Sequence, residues 1–421
     1  MKIAVIGTGI AGNVAAYKLR QDHEITVFES GTYIGGHTNT IDVYDGGKKY
    51  PIDTGFIVFN DRTYPNFIEL LEEIGQESQA SEMSFSVRSD TLEYNGRSLD
   101  ALFAQRSNLL RPGFYKMVRD ILRFNEEAAA VANSARNQTL AEFLHDRNYG
   151  ESFQQNYLIP MAAAIWSAEP NRVLDMPAEF LFRFFRNHGL LQLSDRPTWR
   201  VIKGGSREYV RKLVSGHRDR IRLNSPVYEV RRRATGVQIR SAGSDAETFD
   251  AVFFACHSDQ ALAMLSKPTE SESEILGAMR YQSNEAILHT DERLMPKRRK
   301  AWAAWNYHVP TNNKRQVAVT YNMNILQGLR AKEQYCVTLN NASEIRSDRI
   351  IKRIQYDHPM VTQEAVLAQA RQKEINDDRY FFCGAYWRNG FHEDGVVSAL
   401  TAVQHFEEWL QNEELHLRRA S

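Results

Sequence analysis

The stretch Lys2-Ile3-Ala4-Val5-Ile6-Gly7-Thr8-Gly9-Ile10-Ala11-Gly12, with Glu24-Ile25-Thr26-Val27-Phe28-Glu29 one short helix beyond it, decides the fold. An apolar strand runs into a glycine turn, a helix from Ala11 to Arg20 leaves the turn, and a second strand ends on an acid. This is one βαβ unit, and that context raises Gly-x-Gly-x-x-Gly from a weak pattern to a dinucleotide fingerprint. Gly7 permits the tight turn, Gly9 lets the backbone approach a pyrophosphate, and Gly12 lets the helix pack closely on the strand. Ile10 and Ala11 lie where unpaired N–H groups and partial positive charge attract phosphate. Glu29, seventeen residues past Gly12, is placed to accept hydrogen bonds from ribose hydroxyls, and an acid there disfavours a 2′-phosphate. The fingerprint alone leaves open which dinucleotide is bound.

A chain of 421 residues suits two domains, or one large domain with insertions. The 52 basic and 52 acidic side chains cancel, so no overall field favours nucleic acid or a membrane surface. Two short basic runs, Arg231-Arg232-Arg233 and Lys297-Arg298-Arg299-Lys300, read as solvated faces. No apolar run reaches the roughly 18 residues that span a bilayer. Ile3 to Ile6 is too short for a signal peptide, so a cytoplasmic chain is expected, with membrane contact at most peripheral. Cys256, Cys336 and Cys383 are too scattered for a disulfide framework, and the histidines show no ligand spacing, so no metal is expected. A Gly-x-Ser-x-Gly elbow is absent, which leaves a serine hydrolase without a visible nucleophile.

Apolar spacing predicts helices from Pro65 to Gly75, from Phe114 to about Ala132 and from Pro177 to Gly189, the last apolar nearly all round. Ser206 reads as the N-cap of a helix ending near Gly216. Short strands follow at 220–223, 227–231 and 237–240, then a buried strand over Asp250 to Ala255 and a sheet-rich section over 281–356. Tyr380 to Gly384 is a further buried strand, and Val396 to Leu410 a closing helix.

Gly35-Gly36-His37-Thr38 soon after Glu29, and Asp53-Thr54-Gly55-Phe56 after that, narrow the choice of cofactor. Here the sequence resembles the flavin-containing amine oxidoreductase superfamily, which includes amine oxidases, protoporphyrinogen oxidases and carotene desaturases. Further matches are Lys203-Gly204-Gly205-Ser206, Pro226-Val227, Phe254-Ala255-Cys256-His257, Phe382-Cys383-Gly384-Ala385 and Gly390-Phe391-His392-Glu393-Asp394-Gly395-Val396-Val397-Ser398. The resemblance implies FAD. Gly35 and Gly36 would touch the pyrophosphate, Thr54, Gly55 and Phe56 would lie against the flavin, and the Val227 backbone would hold adenine. Gly384 belongs to the last flavin segment, where Asp394 would reach the ribityl or phosphate portion and the N–H groups of Gly395 and Val396 would face the pyrimidine edge. Family members commonly carry arginine after the glycine pair; His37 stands there instead, a weak or conditional cation beside Thr38. Gly36-His37-Thr38-Asn39-Thr40, Asn187-His188-Gly189-Leu190-Leu191 and Gly390 to Gly395 also look like a bacterial branch often encoded beside cyclopropane-fatty-acid synthases.

The expected fold is therefore α/β: a three-layer Rossmann-like FAD domain from residues 1–80, 195–260 and 360–421, with an inserted α+β substrate domain from 81–194 and 261–359. The expected reaction is hydride removal from a substrate carbon to the N5 atom of non-covalently bound FAD. The expected partner is a small molecule, an apolar acyl or polyene chain, for which Phe180 to Phe185 with Trp166, Trp199, Trp302 and Trp305 would build a cavity. Amine oxidation, a flavin-binding isomerase or structural flavoprotein, and an NAD-only dehydrogenase remain the alternatives. Superfamily amine oxidases usually place a lysine on a substrate-domain strand resembling Asn284 to Asp291; this chain offers His289 there, a candidate proton donor or acceptor.

Overall fold

The computed structural model describes residues 1–131, 138–192, 194–309 and 318–420, with side chains as far as 413. Strand β1 (Lys2–Ile6) alternates its side chains, Ile3 and Val5 to one face and Ala4 and Ile6 to the other, all five percent exposed or less. A strand buried on both faces must be central. It lies in a five-stranded parallel sheet with β2 (Glu24–Phe28), β3 (Ile221–Arg222), β4 (Ala251–Phe254) and β5 (Tyr380–Phe382), in the order β3-β2-β1-β4-β5.

Helices α1 (Ile10–Leu19), α2 (Pro65–Glu73), α3 (Arg207–Leu213) and α4 (His392–Ala420) cover the face of Ile3 and Val5, burying Val14, Phe67, Tyr209 and Phe406 there. The opposite face carries the antiparallel sheet of Val227–Arg233, Gly236–Ser241 and Glu247–Phe249, together with helices Ser258–Met264 and Glu270–Ala278. These are the three layers the sequence predicts.

A second, seven-stranded mixed sheet runs in the order Ile350–Pro359, Tyr281–His289, Cys336–Leu339, Val319–Asn322, Trp305–His308, Phe85–Arg88, Glu93–Asn95. Helices Pro112–Val131, Ile159–Trp166 and Ala178–Asn187 share its core. The expected end of the first of these, Ala132, lies outside the described residues. Helix Ala178–Asn187 buries Phe180, Leu181, Phe182, Phe184 and Phe185 and leaves Arg183 exposed, so it is amphipathic rather than apolar all round.

One helix cap and one helix start differ from expectation. Ser206 does hold the N-cap position of α3, but its side chain makes no capping bond: its N–H and its hydroxyl both donate to Asp53 Oδ1, at 2.8 Å each, because a buried carboxylate is the stronger acceptor. Helix α4 begins at His392 rather than Val396. Glu393 and Asp394 lie in its first turn, and Asp394 Oδ2 accepts the Phe391 N–H at 2.9 Å, so the acids start the helix ahead of the apolar run. Among the described residues no helix is long and apolar enough to cross a membrane.

Candidate functional site

The glycine turn behaves as its spacing demands. Gly7 sits at φ +105°, and a Cβ on Gly12 would stand 2.0 Å from the Gly7 carbonyl oxygen. Gly9 differs: a Cβ there would meet nothing within 4 Å, so its open side is the one a ligand can approach. Glu29 holds the loop, accepting the N–H of Thr8 at 3.0 Å and of Gly31 at 2.7 Å, and the Thr8 hydroxyl as well. Ser225 donates its N–H to the Glu29 carbonyl at 2.8 Å, which brings Val227 to the same end of the sheet. Gly36 reaches the turn from the other side, where a Cβ would stand 3.1 Å from Gly9 Cα. Gly395 packs α4 on α1, where a Cβ would be 2.5 Å from Ile10 Cγ2 and 3.8 Å from the Ala11 nitrogen. Two helix N-termini thus converge beside Gly9, an arrangement suited to phosphate.

Residues 35–39 and 53–56 lie side by side. Phe56 N–H donates to His37 O at 2.8 Å, Thr54 N–H and hydroxyl donate to Asn39 O at 2.9 Å, and a Cβ on Gly55 would be 2.2 Å from His37 O. Gly35 accepts the Thr38 N–H at 2.9 Å. The Thr38 hydroxyl lies 2.6 Å from Tyr209 OH and 3.1 Å from His392 Nε2, and His392 stacks on Phe56 with ring centroids 3.5 Å apart. Burial holds His392 down at about 3, so its ring is a neutral partner for these hydroxyls. Asp53, fully buried, accepts from Thr40 Oγ1, Ser206 and Gln327 Nε2 at 2.6 to 3.2 Å; burial still lifts it to about 6.

Three expectations are corrected here. His37 is no conditional cation: its Nε2 is shielded from solvent without a hydrogen-bond partner, and burial, reinforced by His358, His257 and His392, holds it well below the usual histidine range. Gly395 does not offer its N–H, which is spent on Phe391 O at 3.1 Å. With α4 starting at His392, Val396 also lies beyond the first turn's unpaired donors, and its side chain is core. His289 has no exposed surface; its Nε2 meets Thr338 Oγ1 at 2.7 Å and its Nδ1 accepts the Asp291 N–H at 3.0 Å. Burial pulls it to about 4, and it ends its strand, eight residues or roughly 26 Å from Tyr281. Tyr281 is the end that faces the other histidines, stacking on His257 at 4.4 Å.

Sequence reasoning missed His358. Its ring lies 5.3 Å from that of His37, and it lines a cleft with Trp166, Ala168, Arg172, Met176, Gln282 and residues 359–361. Of the four tryptophans expected to build a cavity, Trp166 lines this cleft, and Phe180 and Phe184 back it at 5.7 and 4.6 Å. Trp302 instead donates to Pro296 O, and Trp305 packs edge-on against Tyr321. Gly384 donates its N–H to Ser398 Oγ at 2.7 Å, which fixes the end of β5 to α4. No group of three or more metal-ligating side chains occurs among the described residues.

The sequence model of the family "Flavin containing amine oxidoreductase" matches residues 10–405. Zeta-carotene desaturase of Solanum lycopersicum is 37% identical over 78 residues, which cover 18% of this chain and 13% of that protein's length. Cyclohexylamine oxidase from Brevibacterium oxydans IH-35A superposes with a TM-score of 0.71 at 16% identity, covering 97% of this chain and 99% of that one. A CLA-producing fatty acid isomerase from P. acnes superposes at 0.68 and 14% identity, covering 96% and 98%. With a family match over nearly its whole length, the chain belongs to the flavin-containing amine oxidoreductases and is an FAD-dependent oxidoreductase.

Proposed function

We infer that the enzyme oxidises an apolar, acyl- or polyene-like chain at carbon. The observation that carries this is the lining of the cleft: beside Arg172, Gln282 and His358, its Trp166, Ala168, Met176, Pro359, Met360 and Val361 are apolar, and none of its described lining residues is acidic. An ammonium group entering it would lose its hydration with no carboxylate to replace it, at a cost of several kcal/mol. A hydrocarbon chain gains roughly 0.8 kcal/mol per methylene buried.

FAD, when bound, supplies the hydride acceptor. The open side of Gly9, the first turn of α1 and the Gly35–Gly36 turn would hold its pyrophosphate. Glu29 and Val227 mark the adenosine end, and Thr38, Thr54 to Phe56, Gly384 and Asp394 the flavin end. His358 is the polar handle of the cleft. Its Nδ1 faces Asn284 Nδ2 at 2.9 Å, an amide that can only donate, so the neutral ring carries its proton on Nε2. Nε2–H has no protein partner among the described residues and is the donor offered to substrate or water. We place the substrate body after Ala278, because helices Ser258–Met264 and Glu270–Ala278 bury Ala261, Ile275 and Leu276 against the five-stranded sheet.

Anaerobic titration of the yellow enzyme tests this. Long-chain acyl lipids or polyenes should bleach the oxidised flavin, and a short polar amine that bleaches it when lipids do not would overturn the substrate assignment. Lipid conversion without net bleaching would mark an isomerase instead.

A further inference from the structure

We propose that the face formed by residues 97–119 and 297–300 docks on an anionic lipid surface. Five of the eleven large hydrophobic side chains exposed among the described residues fall at 99–122. Leu110 is 87% exposed and Leu99 77%, and Leu109, Tyr115 and Leu122 stand out beside them. Scattered single leucines need no explanation, but a cluster on one face does.

The cluster is contiguous. Tyr115 OH donates to Leu109 O at 3.0 Å, and Lys300 Nζ reaches Asp100 Oδ2 at 2.9 Å, which joins the second segment to the first. Helix Pro112–Val131 buries Phe114, Met117 and Phe124, so its outer face, with Tyr115, Lys116, Arg119 and Leu122, is held outward by its own core.

Charge names the occupant. Residues 97–119 carry five cations and one acid, and residues 297–300 four cations and none, in a chain whose charges cancel overall; Glu82, Glu93 and Glu292 pair with Arg97, Arg298 and Arg299. Lys116 and Lys297 form no ion pair among the described residues, and Arg119 has only a 3.9 Å contact with Asp120. Exposed leucines ringed by lysine and arginine match an anionic bilayer, where the leucines enter the acyl boundary and the cations meet headgroups. A second copy packed on the same face would set one net-positive face against another, which disfavours self-association. The proposal does not depend on which substrate the cleft takes.

Co-sedimentation of the FAD-loaded enzyme with phosphatidylcholine vesicles, with and without phosphatidylglycerol, tests it. Binding is expected to the anionic vesicles alone and to weaken with salt. Lys116→Gln and Arg119→Gln should each lower partitioning about fivefold, and Leu99→Ser with Leu110→Ser at least about tenfold. Flavin absorbance and Tm should stay unchanged in all of them. Absent binding, equal binding to neutral vesicles, or full binding by the leucine variant would overturn the proposal. So would a concentration-dependent dimer, or a DNA duplex held on this face, that the leucine variant loses.

Discussion

Asn284 Nδ2 stands 2.9 Å from His358 Nδ1, and two backbone groups on the same strand decide which way that bond runs. Glu285 N–H must find an oxygen, and it takes Asn340 Oδ1 at 2.9 Å. Asn340 Nδ2 then donates to Asn284 Oδ1 at 2.6 Å, and Asn284 Nδ2 donates to Gln282 O at 3.1 Å as well as to the imidazole. Every proton in the chain is assigned from a peptide N–H.

From this, His358→Phe should keep the ring's packing and its FAD, yet slow flavin reduction about tenfold, the worth of one neutral hydrogen bond. Asn284→Ala should fall between it and wild type, since Nδ1 is then free to carry the proton. Burial and His257 hold His358 at about 4, so nitrogen NMR at neutral pH should show a single Nε2–H tautomer. Stopped-flow reduction at the wild-type rate in His358→Phe would remove this residue from the reaction.

The glycines of the turn should separate by function. Gly9→Ala meets open space at φ −62° and should leave the apoprotein's stability within about 1 kcal/mol, while FAD affinity falls at least about tenfold. Gly12→Ala must push into the Gly7 carbonyl and should unfold the apoprotein at lower urea. Calorimetry and urea titration of the two variants distinguish the outcomes.

Asp53→Asn puts an amide N–H in place of one carboxylate oxygen, either Oδ1, to which Thr40 and Ser206 donate, or Oδ2, to which Gln327 donates, leaving at least one buried donor unpaired. A loss of about 1–3 kcal/mol is expected, seen as a lower urea midpoint with or without FAD.

FAD should leave on acid precipitation. Cys383 is fully buried on the five-stranded sheet, and burial drives its thiol far above the usual range, so no thiolate is available for a flavin bond. Flavin mass retained on the denatured polypeptide would contradict this.

Stability should fall as pH drops from about 6.5 to about 4. His188, His217, His289 and His358 are held at about 4 and His392 at about 3, each first by burial. Over that window the unfolded chain takes up protons that the folded chain refuses, so unfolding gains. Asp53 and Asp394, lifted to about 6 by burial, act the other way, because acid relieves their buried charge, but they are fewer. His289→Gln should flatten the slope of Tm against pH with little effect on flavin reduction.

The cofactor half was legible because its signals are local. Gly7, Gly9 and Gly12 lie within one turn, and Glu29 directly follows the adjoining strand. His358 was not, since it meets Asn284 only through antiparallel register, 74 residues away in sequence. His289 was misjudged for a related reason: alternation along Tyr281–His289 shows which side chains point inward, but not which end of the strand meets the cofactor side. The early start of α4 was hidden by Gly395, which reads as a break and serves as a contact with Ile10.

Gln327 bears on how substrate gets in. It donates to Pro51 O and Asp53 Oδ2 and accepts the Asp53 N–H, while Gln79 Nε2 donates to its carbonyl and Ser81 Oγ to that of Leu326. Three of these bonds lock the turn to the strand that precedes Thr54, and two lock it to residues 79–81. A hinge there would have to break most of them together, so rocking the mixed sheet away from residues 51–53 and 79–81 is a costly way to admit substrate.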